Sequence, residues 1–137
     1  MRNTPVKDGL TIRREVLGDA HVDRALHAET EFDAPFQALI TETIWGGVWA
    51  SNTISRRERS MITLAILAAL GNLDEIPMHI RATANTGASQ ADIAEVFQHV
   101  AVYAGAPRAN RAIALAKQTL AEMTADNRAL DGHNDTL

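Results

Sequence analysis

Cysteine is absent from the 137-residue chain. That removes disulfides, thiol redox chemistry, thiolate nucleophiles and Cys-ligated zinc together. There is no excess of basic charge either: 13 Lys and Arg stand against 17 Asp and Glu, a formal net charge of -4. A nucleic-acid partner is therefore not expected, because neutralising phosphates needs a basic face. The N-terminus, MRNTPVKDGL, lacks the apolar centre of a signal peptide. The longest apolar run, Met61 to Leu70, is too short to cross a bilayer and contains Thr63. A cytoplasmic protein with no membrane partner is the expectation. Strand alternation bounded by turn signals is missing as well. The fold class expected is all-α, a single-domain bundle of about six helices.

The organisation read from the residues is a polar N-terminal arm over 1–18, a helical domain over 19–124 and a polar C-terminal tail over 125–137. Asp19 is a plausible N-cap for the first helix and Asp33 for the second, with Pro35 in the second helix's first turn. Phe36, Leu39, Ile40, Thr43 and Ile44 fall at helical spacing and predict one buried stripe. It runs into Trp45-Gly46-Gly47-Val48-Trp49, where Trp49 reads as a core anchor and Trp45 as a pocket wall. Ser55 and Glu58 form a capping box. The helix after them, with Met61 to Leu70 almost wholly apolar, is expected to be buried on nearly all sides. Gly71 ends it. Pro77 must then lie in the first turn of the next helix, which Asn85-Thr86-Gly87 closes. Ser89 with Asp92 caps another helix, and Pro107 opens the last, which is expected to fray after Thr124.

Glu75 and His79 form the sharpest constellation. Four residues apart on one helix, they share a face, and a carboxylate there can orient an imidazole and hold it as a general acid. The same spacing also occurs as an ordinary surface pair, and spacing alone leaves both readings open. Two ligands without a third make a metal site a poor reading. Ser60 stands where a polar first turn becomes apolar. Tyr103 is either a ligand's hydrogen-bond donor or a buried aromatic. Arg56, Arg57 and Arg59 oppose the dipole of their helix, so an anion should offset at least one of them.

Five segments taken together, RREVLGDAHVDRA, ITETIWGGVW, SRRERSMITLAILAAL, EIPMHIRATANTG and VAVYAGAPRANRA, span most of residues 13–113. In order and distance they resemble the carboxymuconolactone decarboxylase family, and within it the branch acting on 4-carboxymuconolactone. The resemblance implies an alkylhydroperoxidase D-like helical fold, assembled as a homohexamer that is a trimer of dimers. In the peroxidase branch of that superfamily a C-x-x-C-x-x-x-H pattern opens the catalytic helix, with a glutamate nineteen residues before the histidine. Here the histidine is His79, the cysteine positions are Asn72 and Glu75, and the glutamate position is Ser60. Peroxidase chemistry is thereby lost. The chain departs from the decarboxylase pattern at Ala50-Ser51-Asn52-Thr53-Ile54 and at Pro77.

The activity implied is loss of CO2 from an anionic lactone, whose own ring takes up the electrons, so that no pyridoxal, thiamine or metal cofactor is required. On that reading His79 and Glu75 are catalytic. Trp45, Ser60, Tyr103 and one or more of Arg56, Arg57, Arg59 and Arg108 contact the substrate. The alternatives are a paralogue acting on another lactone or acid, and a non-catalytic helical oligomer that binds a small acid.

Overall fold

The structure, a computed structural model, describes residues 8–134, with side chains to Gly132. Seven α-helices appear among the described residues: α1 Gly9–Leu17, α2 Asp19–Ala28, α3 Ala34–Ile40, α4 Arg56–Leu70, α5 Ile76–Thr86, α6 Gln90–Ala104 and α7 Ala106–Asn134. A π-helical segment, Thr41–Trp49, continues α3, and a 3-10 turn, Leu73–Glu75, precedes α5. No strand occurs among the described residues, and the all-α expectation holds. The chain divides into two compact units, residues 1–59 and 60–137.

In the N-terminal unit α1 packs on the π-helical segment and on α2. The close approach of α1 to that segment depends on glycine. A Cβ on Gly9 would collide with the Thr41 carbonyl oxygen and come within 3.1 Å of the Gly46 nitrogen. Ile12, Val16, Val22, Trp45 and Trp49 are buried. The π-helical turn is wider than an α-turn, with i→i+5 bonding. The Trp45 and Trp49 rings lie 5.3 Å apart at 32°.

In the C-terminal unit Leu64 and Ala68 of α4, Ile76 and Ile80 of α5, Ile93, Val96, Phe97 and Val100 of α6, and Ala109, Ala112 and Ala116 of α7 form one apolar core. The alanines of α7 let it lie close against its neighbours, with no side chain to hold it off. Caps set the helix limits as the residue types dictate. Ser55 N–H donates to Glu58 Oε1 (2.9 Å) while Glu58 N–H donates to Ser55 Oγ (3.1 Å). Ser89 and Asp92 repeat the arrangement before α6. Gly87, left-handed, donates its N–H to the Thr83 carbonyl at the end of α5.

Four expectations need correction. Residues 9–17 are not a loose arm but a helix, capped by Asp8 accepting from Leu10 N–H and held by buried Ile12 and Val16; residues 1–7 lie outside the described residues. The stripe on α3 and the segment after it is not buried: Phe36, Leu39 and Ile44 are exposed, and the tryptophans are covered instead. On α4 only Ser60, Leu64 and Ala68 are buried, whereas Ile62, Ile66 and Leu70 form an exposed stripe four residues apart. Helical periodicity identifies an apolar face without identifying what covers it. The last helix does not fray at Thr124 but runs to Asn134, past Met123, the last residue it packs on the core, and past the Arg81–Asp126 ion pair. Residues 135–137 of the expected tail lie outside the described residues.

Candidate active site

The α4–α5 pair carries the residues of interest in the C-terminal unit. At one end Ser60 of α4 and Thr86 of α5 share a 2.7 Å hydrogen bond. At the other end α4 closes at Gly71, and Asn72 N–H donates back to the Leu67 carbonyl. The two helices are thus antiparallel, joined by the short connection after Gly71 and tied at the far end by the Ser60–Thr86 bond.

His79 lies on α5, 8% exposed, between the core residues Ile76 and Ile80. The 3-10 turn places Glu75 at the N-cap of α5, so Pro77 is in the first turn, where its missing N–H costs nothing. Glu75 is exposed, one turn before the nearly enclosed imidazole. Its carboxylate meets the positive end of the α5 dipole.

The remaining sequence-predicted residues have varied surroundings. Ser60 is fully buried and engaged with Thr86. Tyr103 is 81% exposed and stacks on His99, with centroids 4.8 Å apart, so it is not the buried aromatic. Arg108, at the start of α7, lies over Gly71: a Cβ at Gly71 (φ 73°) would collide with its Nη1. Since α7 also packs on the Leu73–Glu75 turn, Arg108 is the predicted arginine that this unit brings to the Glu75 end of α5. In the N-terminal unit, Trp45 is as buried as Trp49, each 5% exposed, which makes it a packing partner in this chain. Arg56 pairs with Glu15 at 2.7 Å, the anion expected to offset that cluster. Arg59 donates to the Ser51 carbonyl, and Arg57 is exposed. Arg81 pairs within the chain with Glu122 and Asp126 of α7.

A model of the carboxymuconolactone decarboxylase family matches residues 34–118, which contain the whole α4–α5 pair. The chain belongs to this family. A 4-carboxymuconolactone decarboxylase from Acinetobacter baylyi is 39% identical over 117 residues, covering 85% of this chain and 87% of the relative. A nitrosuccinic acid decarboxylase from Metarhizium robertsii is 35% identical over 116 residues, covering 85% and 81%. A 4-carboxymuconolactone decarboxylase from Pseudomonas putida is 50% identical over 38 residues, 28% of this chain and 79% of the relative. The relatives are thus decarboxylases matched over most of their own lengths. Among the described residues no helix is long and apolar enough to cross a membrane, and no three or more His, Asp or Glu side chains group as metal ligands.

One buried arginine escaped the sequence reading. Arg13 is 5% exposed on α1 and donates from Nη1 to Gln37 and Thr41, at 3.2 and 3.4 Å. Its signal was positional: it lies on the same helical face as Gly9, Ile12 and Val16.

Proposed function

We propose that this chain converts 4-carboxymuconolactone to 3-oxoadipate enol-lactone with release of CO2, as a cytoplasmic step of aromatic-acid (protocatechuate, β-ketoadipate) catabolism. The observation that carries the reading is the 39% identity to the Acinetobacter enzyme over nearly the full length of both chains. The bond to the ring carboxylate breaks heterolytically. Its electron pair moves through the ring double bond into the lactone carbonyl, giving a dienolate. A proton added at the carbon α to that carbonyl completes the enol-lactone. Nitrosuccinic acid, named for the second relative, shares the logic: a dicarboxylate in which a nitro group can accept the electrons left by CO2.

The substrate's own sink leaves the protein three tasks, namely holding a dianion, favouring charge delocalisation and delivering a proton. His79 is assigned as the proton donor, because its enclosure excludes bulk water from a carbanion that water would otherwise protonate without direction. Glu75, one turn earlier, orients the imidazole. Arg108 binds the spectator carboxylate through its planar fork. The exposed apolar stripe Ile62–Ile66–Leu70, with Phe36, Leu39 and Val48, supports assembly into a homo-oligomer, read here as a hexamer of three dimers.

The deciding assay measures CO2 release from 4-carboxymuconolactone by pure protein in the presence of a chelator, with nitrosuccinate in a parallel reaction. Turnover of the lactone is expected, falling roughly 100-fold or more in His79→Ala. No lactone turnover by the unaltered chain overturns the substrate assignment, and an unchanged rate in His79→Ala overturns the proton-donor role.

A further inference from the structure

The N-terminal unit carries an open pocket of about 510 Å³, lined wholly by its own residues. That volume lies within the range of small-molecule sites. Arg13 forms part of its wall, and this cation is incompletely satisfied. Nη1 serves Gln37 and Thr41, while Nε is buried without a hydrogen-bond partner. Burial pushes the guanidinium below its ordinary range, and the charge of Glu29 pulls it only partly back. A buried charge left short of acceptors is costly and needs a compensating group. The π-helical segment supplies another part of the wall, through Thr41, Glu42 and Gly46. Such segments are rare and recur at functional sites.

The lining restricts the ligand. Asp8, Glu29 and Glu42 place three carboxylates around one guanidinium, so a dianion is repelled. Asp8 is already engaged as the α1 cap, which leaves Glu29, half-buried, and Glu42, exposed, to face a positive group. Leu10 and Leu26 supply apolar wall. We propose that this pocket binds a small zwitterion with an apolar side chain, its carboxylate on Arg13 and its ammonium toward Glu29 and Glu42. The class this describes is that of an α-amino acid. The site is independent of the reaction assigned above.

The test is isothermal titration of the full chain with L-leucine, L-methionine and L-phenylalanine as probes. 4-Methylpentanoate and 3-methylbutylamine serve as half-ligands lacking one charge. At least one amino acid is expected to bind saturably, one per chain, with each half-ligand weaker by about tenfold or more. Arg13→Lys, which keeps the charge but loses the fork, should weaken binding by roughly tenfold. Glu42→Gln, at an exposed position where substitution changes stability little, should weaken it too and decides the matter if Arg13→Lys does not fold. Absence of saturable binding by all three amino acids overturns the proposal. So does equal binding of 4-methylpentanoate, or unchanged affinity in Glu42→Gln together with Glu29→Gln.

Discussion

Ser60→Ala separates a structural from a substrate-contacting role for this serine. The hydroxyl is inaccessible to solvent and lies 2.7 Å from Thr86 Oγ1. The substitution removes a single atom, so the cavity term is small and the hydrogen bond dominates. A buried side-chain bond contributes about 1 kcal/mol net, and stranding its partner costs about 1–3 kcal/mol. Thr86 is half-buried and can regain a partner in water, which puts the expected loss near the low end, about 1.2 kcal/mol. With an unfolding entropy of about 0.29 kcal/mol/K for this length, the Tm falls by about 4 °C. The assay is thermal unfolding at one fixed protein concentration, since association shifts Tm, paired with KM for the lactone. Thr86→Val should reproduce most of the loss, and the double variant should lose less than the sum of the two. A Tm within about 1 °C of the parent together with a tenfold rise in KM would refute the reasoning, because Ser60 would then be a substrate ligand rather than a helix tie.

Three further outcomes are expected. The Ser55 N–H and hydroxyl, followed by the nearby charge of Arg57, hold Glu58 below its ordinary carboxylate range. Its folded pKa is depressed, so its stabilisation is full above the unfolded value near 4.5 and disappears as the pH falls through the lower folded value. The Tm gap between the parent chain and Glu58→Gln should therefore be open at pH 7 and shrink as the pH falls below 4.5 and through the lower folded value; a gap independent of pH would deny the carboxylate its part. Gly71→Ala places a Cβ at φ 73° and displaces the flexible Arg108 guanidinium. A loss of about 1 kcal/mol in urea unfolding should accompany a raised KM. Ile66→Lys, in the middle of the exposed α4 stripe, should leave the circular dichroism spectrum intact and lower the mass seen by light scattering; an unchanged mass would remove α4 from any interface.

What the sequence revealed was local. The Ser55/Glu58 and Ser89/Asp92 boxes, the Gly87 stop and the first-turn Pro77 each depend on residues within a few positions of one another, and each is found where expected. Burial was not legible in the same way. Phe36 and Ile66 obey helical spacing yet face outward, because covering a face requires another element or another chain. α1 was missed because Gly9 and Gly18 resemble loop residues, although Gly9 is present for its close approach to the Thr41 carbonyl. Of the proposed site, the placement of Glu75 and His79 on successive turns could be read directly from Pro77. The bond that occupies Ser60 could not, since its partner is 26 residues away.

The 3-10 turn ahead of α5 has a consequence for how such a scaffold can change its chemistry. Asn72 and Glu75, the positions that carry thiols in the peroxidase branch this family resembles, fall on and beside a three-residue turn with no buried member. His79 is instead carried by a helix whose Ile76, Ile80 and Thr83 are fixed in the core. Reagent and frame are thus separable: the turn can exchange thiol for carboxamide or carboxylate without altering a packed side chain. With His79 as the proton donor proposed above, one fold would host thiol redox chemistry in one lineage and proton delivery in another, with the imidazole as the common part.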